Sequence, residues 1–153
     1  MTNWNIKPFD QLTTQELYAI LRLRSEVFVV EQNCVFLDMD NKDHHCRHLM
    51  GWNGPLLAAY SRIVPAGISY GESSIGRIVT SPAARGSGIG RELLIRSIDH
   101  IYTLYGKHDI RIGAQCYLKK FYESFGFVQK GEIYLEDGIE HIEMLLSTTN
   151  IVP

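Results

Sequence analysis

The sequence predicts an α/β domain: one mixed, mostly antiparallel sheet of about seven strands with helices on its faces. Three observations predict it. β-type runs and helical patterns alternate in the order β-α-β-β-β-α-β-α-β-β, which requires helices packed on a sheet. Two tight-turn pairs, Asn53-Gly54 and Asp137-Gly138, each lie between β-type runs and so join antiparallel neighbours. The 153 residues hold no linker, repeat or low-complexity tract, so a single domain is expected over residues 1–153.

The elements follow in order. Trp4 to Phe9 is a short strand that stops near Pro8. Thr13-Thr14-Gln15-Glu16 fits a capping box, with Thr13 capping the helix and Glu16 reaching back to it. Leu17, Ile20, Leu21 and Phe28 keep helical spacing behind that box, so a helix runs from about 14 to 31. From Gln32 to Arg47 the apolar period is lost and Asp38, Asp40, Asp43, His44 and His45 crowd in, which marks a long polar loop. His48–Trp52 and Leu56–Val64 form a hairpin about Asn53-Gly54, where both turn positions favour φ > 0. After a second loop, Ser74–Thr80 is a strand, and a helix from about 88 to 105 ends with Gly106 as its C′ residue. Asp109–Ala114 is a strand. Tyr117–Phe125 is a helix, with Leu118, Phe121, Tyr122 and Phe125 on one face and Gly126 as its stop. Phe127–Leu135 and Ile139–Leu146 close the chain as a hairpin about Asp137-Gly138.

Composition excludes several classes. Hydrophobic content of 45% and charged content of 21% belong to a folded globular chain. A net charge of −2 gives no field that would draw nucleic acid or an anionic membrane. No apolar run reaches the roughly 18 residues needed to span a bilayer, and the N-terminal residues lack a signal-peptide pattern. The three cysteines, Cys34, Cys46 and Cys116, form no CxxC. They read as buried or free thiols of a cytoplasmic protein.

The chemistry centres on Arg85-Gly86-Ser87-Gly88-Ile89-Gly90, between a strand and the start of a helix. Bare backbone N–H groups at the positive end of a helix dipole suit a phosphate or pyrophosphate. The spacing is GxGxG at mid-chain, so neither a P-loop nor a dinucleotide fingerprint is present. Farther on stands Phe121-Tyr122-Glu123-Ser124-Phe125-Gly126-Phe127. Together, Arg85-x-x-Gly88-x-Gly90 after a strand and a later Phe-Tyr-x-x-x-Gly-Phe resemble the GNAT superfamily of acyl-CoA-dependent N-acetyltransferases. Val29-Val30-Glu31-Gln32-Asn33-Cys34, Ile75-Gly76-Arg77 and Glu136-Asp137-Gly138-Ile139 look like its ElaA-like branch.

The resemblance implies transfer of an acetyl group from acetyl-CoA to a small-molecule or peptide amine by direct attack, in a monomer or homodimer. It implies that Arg85, Gly86, Ser87, Gly88, Ile89 and Gly90, with Arg91, hold the coenzyme pyrophosphate. It also implies that the strand containing Ile78, Val79 and Thr80 pairs with the pantetheine arm through the main chain of Ile78 and Thr80. That strand and the one at 109–114 would splay apart to admit the arm. Tyr122 falls where such enzymes often place a tyrosine near the leaving sulfur. A phenol of pKa about 10 is a weaker acid than a thiol of about 8.5, so full proton transfer is uphill by roughly 2 kcal/mol. A hydrogen bond that strengthens as charge builds on sulfur is the better role.

An alkylammonium acceptor of pKa near 10 needs a base. Glu31, Asp38, Asp40 and His48 are the candidates. Glu31 comes first, because the apolar Phe28-Val29-Val30 beside it could raise its pKa. The resemblance implies that the loop after the first helix and the last hairpin line the acceptor side, which places Asp38, Asp40 and His48 there, and the acidic content of that loop favours a cationic acceptor. A metal site from the same loop is disfavoured: Lys42 and Asp43 break the EF-hand pattern, and Cys34, Cys46 and His48 lack paired zinc spacing. No metal is expected. Cys116 has no base assigned to it and reads as a buried thiol rather than a nucleophile. The competing class is a non-catalytic acyl-CoA-binding or sensing domain on the same fold.

Overall fold

In the computed structural model, which describes residues 1–148, the capping box forms as predicted. Thr13 Oγ1 accepts from the Glu16 N–H at 3.1 Å, and Glu16 Oε1 accepts from the Thr13 N–H at 2.9 Å. Helix α1 (Thr14–Arg24) follows. The predicted continuation to residue 31 differs in its hydrogen bonding: Ser25–Glu31 is a π segment, with the Gln32 and Cys34 N–H groups reaching back to the carbonyls of Val27 and Val29. Ile20, Leu23 and Val27 stay buried through the change, so the apolar spacing does not betray it.

Strands β1 (Asn3–Pro8), β2 (Arg47–Asn53), β3 (Leu56–Val64) and β4 (Ser74–Thr80) form an antiparallel sheet in that order. Strands β5 (Ile110–Gln115), β6 (Val128–Glu136) and β7 (Ile139–Leu146) form a second, in the order β5-β7-β6. The expected seven strands are present in two sheets rather than one, and the ladder is broken between β4 and β5, where the resemblance implies that the strands splay. Among the described residues a single parallel bridge, between Ser73 and Ile110, joins them, with the Arg111 N–H donating to the Ser73 carbonyl at 3.0 Å.

The two hairpin turns are not alike. Asp137 and Gly138 both take positive φ, 51° and 77°, between paired Glu136 and Ile139, as the predicted turn requires. In the first hairpin Asn53 itself pairs with Leu56, so the turn is Gly54-Pro55 and only Gly54 has positive φ, at 58°. Pro55 cannot adopt positive φ, and the turn shifts by one residue to accommodate it.

Helix α2 (Ile89–Tyr105) ends at Gly106, φ 87°. Helix α3 (Lys119–Glu123) is shorter than predicted, being preceded by a 3₁₀ turn over Cys116–Leu118. Leu49 and Met50, adjacent in β2, face opposite sides of the sheet. Leu49 packs with Leu93, Leu94 and Ile101 of α2 and with Ile112, Ile142 and Met144 of the second sheet. Met50 packs with Tyr60, Val79 and the α1 side chains Ile20 and Leu23. Leu93 and Leu94 are fully buried, each contributing about 2 kcal/mol of transfer free energy. This α2 core underlies both sheets and holds them together where the hydrogen bonds do not. The three cysteines are free, Cys34 and Cys46 buried; Cys116, read as buried, is partly buried against the core.

Candidate active site

The break between the sheets starts with a bulge in β4. Tyr60 pairs with Val79 and Arg62 with Gly76, so the register slips, and Arg77 takes φ 50°. A non-glycine residue there is strained, and its side chain is clamped. Arg77 Nε and Nη2 donate to a carboxylate oxygen and the carbonyl of Asp38, both at 2.8 Å. The same loop binds two further guanidiniums. Arg24 donates to Asp38 at 2.8 Å and Asp43 at 2.9 Å. Arg62 donates to both oxygens of Asp40 at 2.8 Å and to Asp43 at 3.0 Å.

Three carboxylates therefore meet three guanidiniums, and Arg24 and Arg62 are buried. Burial alone would raise the pKa values of Asp40 and Asp43; the arginines outweigh it and hold both below the ordinary carboxylate range. The sequence reading of this loop as a net negative lure for a cationic acceptor is thus corrected, since its charge is balanced internally. Asp40 lines the cleft described below; Asp38 and His48 do not. His48 is 1% exposed. Its Nε2–H donates to the Asp43 carbonyl at 3.0 Å, which leaves Nδ1 to accept from Tyr60 Oη at 2.7 Å. Burial lowers its pKa and keeps it neutral.

The glycine turn is open and carries no side-chain cap. Gly86 and Gly88 take φ 85° and 81°, with no atom within 4 Å of where a Cβ would stand. Gly88 is the N-cap of α2 and provides no side-chain cap, while Ser87 Oγ is committed to the Ala84 carbonyl at 2.7 Å. The first-turn amides of α2 are left without a side-chain acceptor. Ile89 is buried and offers only its backbone. Gly90 lies beside Thr80 Cγ2, and Arg91 crosses to Ser124 Oγ at 3.1 Å with its guanidinium over Phe125. The residues present fit a pyrophosphate. Arg85 meets Glu31 in a two-pronged pair at 2.7 and 2.8 Å. The raised pKa expected for Glu31 is reversed: its hydrogen bonds to Arg85 lower it.

A cleft of about 1180 Å³ runs along the break, lined by Glu31, Arg85, Gly90, Ile78, Val79, Thr80 and Tyr122 among others. Tyr122 is 4% exposed, edge-on to Phe121 and Phe127, and burial raises its pKa. Its phenol therefore keeps its proton and can donate.

The last hairpin lies at the far end of the cleft, on the acceptor side that the resemblance implies, but sequence reasoning gave none of its residues a role there. Ile142 and Met144 of β7 face the core, so Ile139, His141 and Glu143 alternate onto the other face and line the cleft. Tyr70 and Tyr134 converge there over Gly113, whose missing Cβ would lie 2.9 Å from both phenol oxygens. Burial first, then Tyr70, Glu136 and Glu143, raise the Tyr134 pKa. The period-2 alternation of the last strand was the available signal for His141; nothing local points to Tyr70. Among the described residues, no group of three or more His, Cys, Asp or Glu side chains is placed to hold a metal ion.

A family model described as acetyltransferase (GNAT) domain matches residues 28–148. Protein ElaA of Escherichia coli is 39% identical over 146 residues, covering 94% of this chain and 95% of that protein. A UPF0039 protein of Synechocystis is 41% identical over 144 residues, with 94% of each chain covered. Among solved structures, an acyl-CoA N-acyltransferase from Pseudomonas aeruginosa superposes with a TM-score of 0.92 at 40% identity, covering 96% of this chain and 100% of that one. The crystal structure of Escherichia coli ElaA gives 0.88 at 38%, covering 95% and 99%.

Proposed function

The chain belongs to the GNAT acetyltransferase family and is an acyltransferase, and we propose that it moves an acetyl group from acetyl-CoA to a primary amine by direct attack. The observation that carries the proposal is the single cleft that joins the uncapped, glycine-lined start of α2 to Tyr122 along the open edge of β4.

Gly86, Ser87, Gly88, Ile89 and Gly90 present main-chain N–H groups to the coenzyme pyrophosphate, and Arg85 and Arg91 flank them with positive charge. Ile78, Val79 and Thr80 lie on the edge of β4 that has no strand beside it, so Ile78 and Thr80 offer main-chain groups to an extended amide-bearing arm. Tyr122 donates a hydrogen bond that strengthens as charge develops on the leaving sulfur. The thioester supplies the activated acyl carbon; every other role falls to the chain. Asp38 and His48 act by holding the loop beside the cleft, and Asp40 lines it as the partner of Arg62.

The rival is an acyl-CoA-binding or sensing domain without turnover. Mixing the protein with acetyl-CoA and a broad panel of primary amines, and following thiol release, separates the two. Amine-dependent release supports the enzyme; saturable acetyl-CoA binding with no release from any amine supports the sensor.

A further inference from the structure

We propose that His141 takes the proton from the acceptor ammonium, in a subsite completed by Glu136 and the Tyr70–Tyr134 pair. The proposal rests on the acetyl-transfer reading above and supplies the base that reading requires.

Elimination within the cleft gives the first argument. Of the acidic and imidazole groups that line it, Glu31 is held by Arg85, Asp40 by Arg62 and Arg77, and Glu143 by Arg111 at 3.1 Å. A carboxylate already bound to a guanidinium is a poor proton acceptor. Asp137 sits in the exposed hairpin turn. Among the described residues neither His141 nor Glu136 has a guanidinium or ammonium partner, and Nε2 lies 3.4 Å from Glu136 Oε2.

Geometry gives the second. His141 is 7% exposed and pairs with Gln115 of β5 and Tyr134 of β6, so it sits in the middle of the second sheet. Its Nδ1 lies 2.8 Å from the Ile139 carbonyl. A carbonyl only accepts, so Nδ1 carries the hydrogen and the neutral ring keeps its lone pair on Nε2. Tyr134 stacks on the ring at 5.8 Å and fixes its plane. The charged or titratable groups around it are Glu136 and Tyr134 from β6, Glu143 with Arg111 from β7 and β5, and Tyr70 and Glu72 from the loop before β4. Arg111 is occupied by Glu72 and Glu143, which leaves Glu136 to stabilise an imidazolium.

The step balances. Nε2 accepts one proton from the ammonium, and the imidazolium so formed pairs with Glu136. The freed nitrogen lone pair bonds to the thioester carbonyl carbon, the carbon–sulfur bond breaks, and its electron pair leaves on sulfur. One of the nitrogen's two remaining protons ends on sulfur, and His141 returns the first to solvent. The acceptor class is a primary alkylamine that arrives protonated.

The test measures kcat/KM for a reactive primary amine against pH in the wild type, His141→Gln and Glu136→Gln, with acetyl-CoA affinity measured in each. The wild type is expected to lose activity on the acid side with one protonation. His141→Gln should fall by about 10²-fold or more and lose that inflection while binding acetyl-CoA as before. Glu136→Gln should lower kcat/KM severalfold without changing acetyl-CoA affinity, because the imidazolium loses its carboxylate partner. A purely structural histidine would not remove the acid limb while leaving coenzyme affinity intact. An unchanged kcat/KM in Glu136→Gln, an acid limb that survives in His141→Gln, or an acid limb lost in Glu31→Gln instead would overturn the assignment. A wild type that binds acetyl-CoA yet releases no thiol with any amine would defeat the acetyl-transfer reading itself, and the base with it.

Discussion

Tyr122 shows how one side chain's surroundings restrict its chemistry. Burial against Phe121 and Phe127 raises its pKa, so a complete proton transfer to sulfur, already uphill by roughly 2 kcal/mol for free groups, is further disfavoured. A donor that holds its proton is what remains. Tyr122→Phe is therefore expected to lower kcat by about a hundredfold while acetyl-CoA affinity stays the same; equal turnover in the two proteins would remove Tyr122 from the mechanism. The position of Tyr122 was readable from the sequence, because a helix-spaced aromatic run before Gly126 is a local pattern. The environments of Glu31 and His48 were not. Their partners, Arg85 and Tyr60, stand 54 and 12 residues away, and nothing in the neighbouring residues announces them.

At the scale of elements, the π segment and the glycine turn are coupled through Glu31 and Arg85. The pair is about 40% exposed on each side, so it is a soft, salt-sensitive link. If Arg85 serves the coenzyme, Glu31 competes with the pyrophosphate for it. Glu31→Gln should then tighten acetyl-CoA binding severalfold at low ionic strength, an advantage that shrinks as salt is added. Calorimetric titration at two salt concentrations checks this, and weaker binding in the variant would mean that Glu31 orients Arg85 rather than restraining it. The elements themselves were largely legible. Hydrophobic period, the Thr13 box, Gly106 and the Asp137-Gly138 turn all act over a few residues. The π hydrogen bonding and the one-residue shift at Gly54-Pro55 were hidden because they alter the backbone without altering which side chains face inward.

For the whole molecule, the balanced cluster of Asp38, Asp40 and Asp43 with Arg24, Arg62 and Arg77 is the feature least visible in the sequence. Its arginines come from α1, β3 and β4, so only the folded topology brings the charges together. It also sets the response to acid. Burial lowers the pKa of His48 and of His100, so the unfolded chain takes up those protons first and stability falls as pH drops below about 6.5. Asp40 and Asp43 have depressed values; their contribution is present above the ordinary carboxylate range and is lost as pH falls below about 4. Denaturant midpoints should fall in two stages, and a midpoint that does not move between about pH 7.5 and 5.5 would contradict the buried, neutral state of His48. The gap between β4 and β5 carries a further cost and a safeguard. An unpaired strand edge is what recruits foreign chains into aggregates. Here that edge lies along a cleft closed at one end by the Ser73–Ile110 bridge and backed by the α2 core, so a foreign strand could reach it only from the open side.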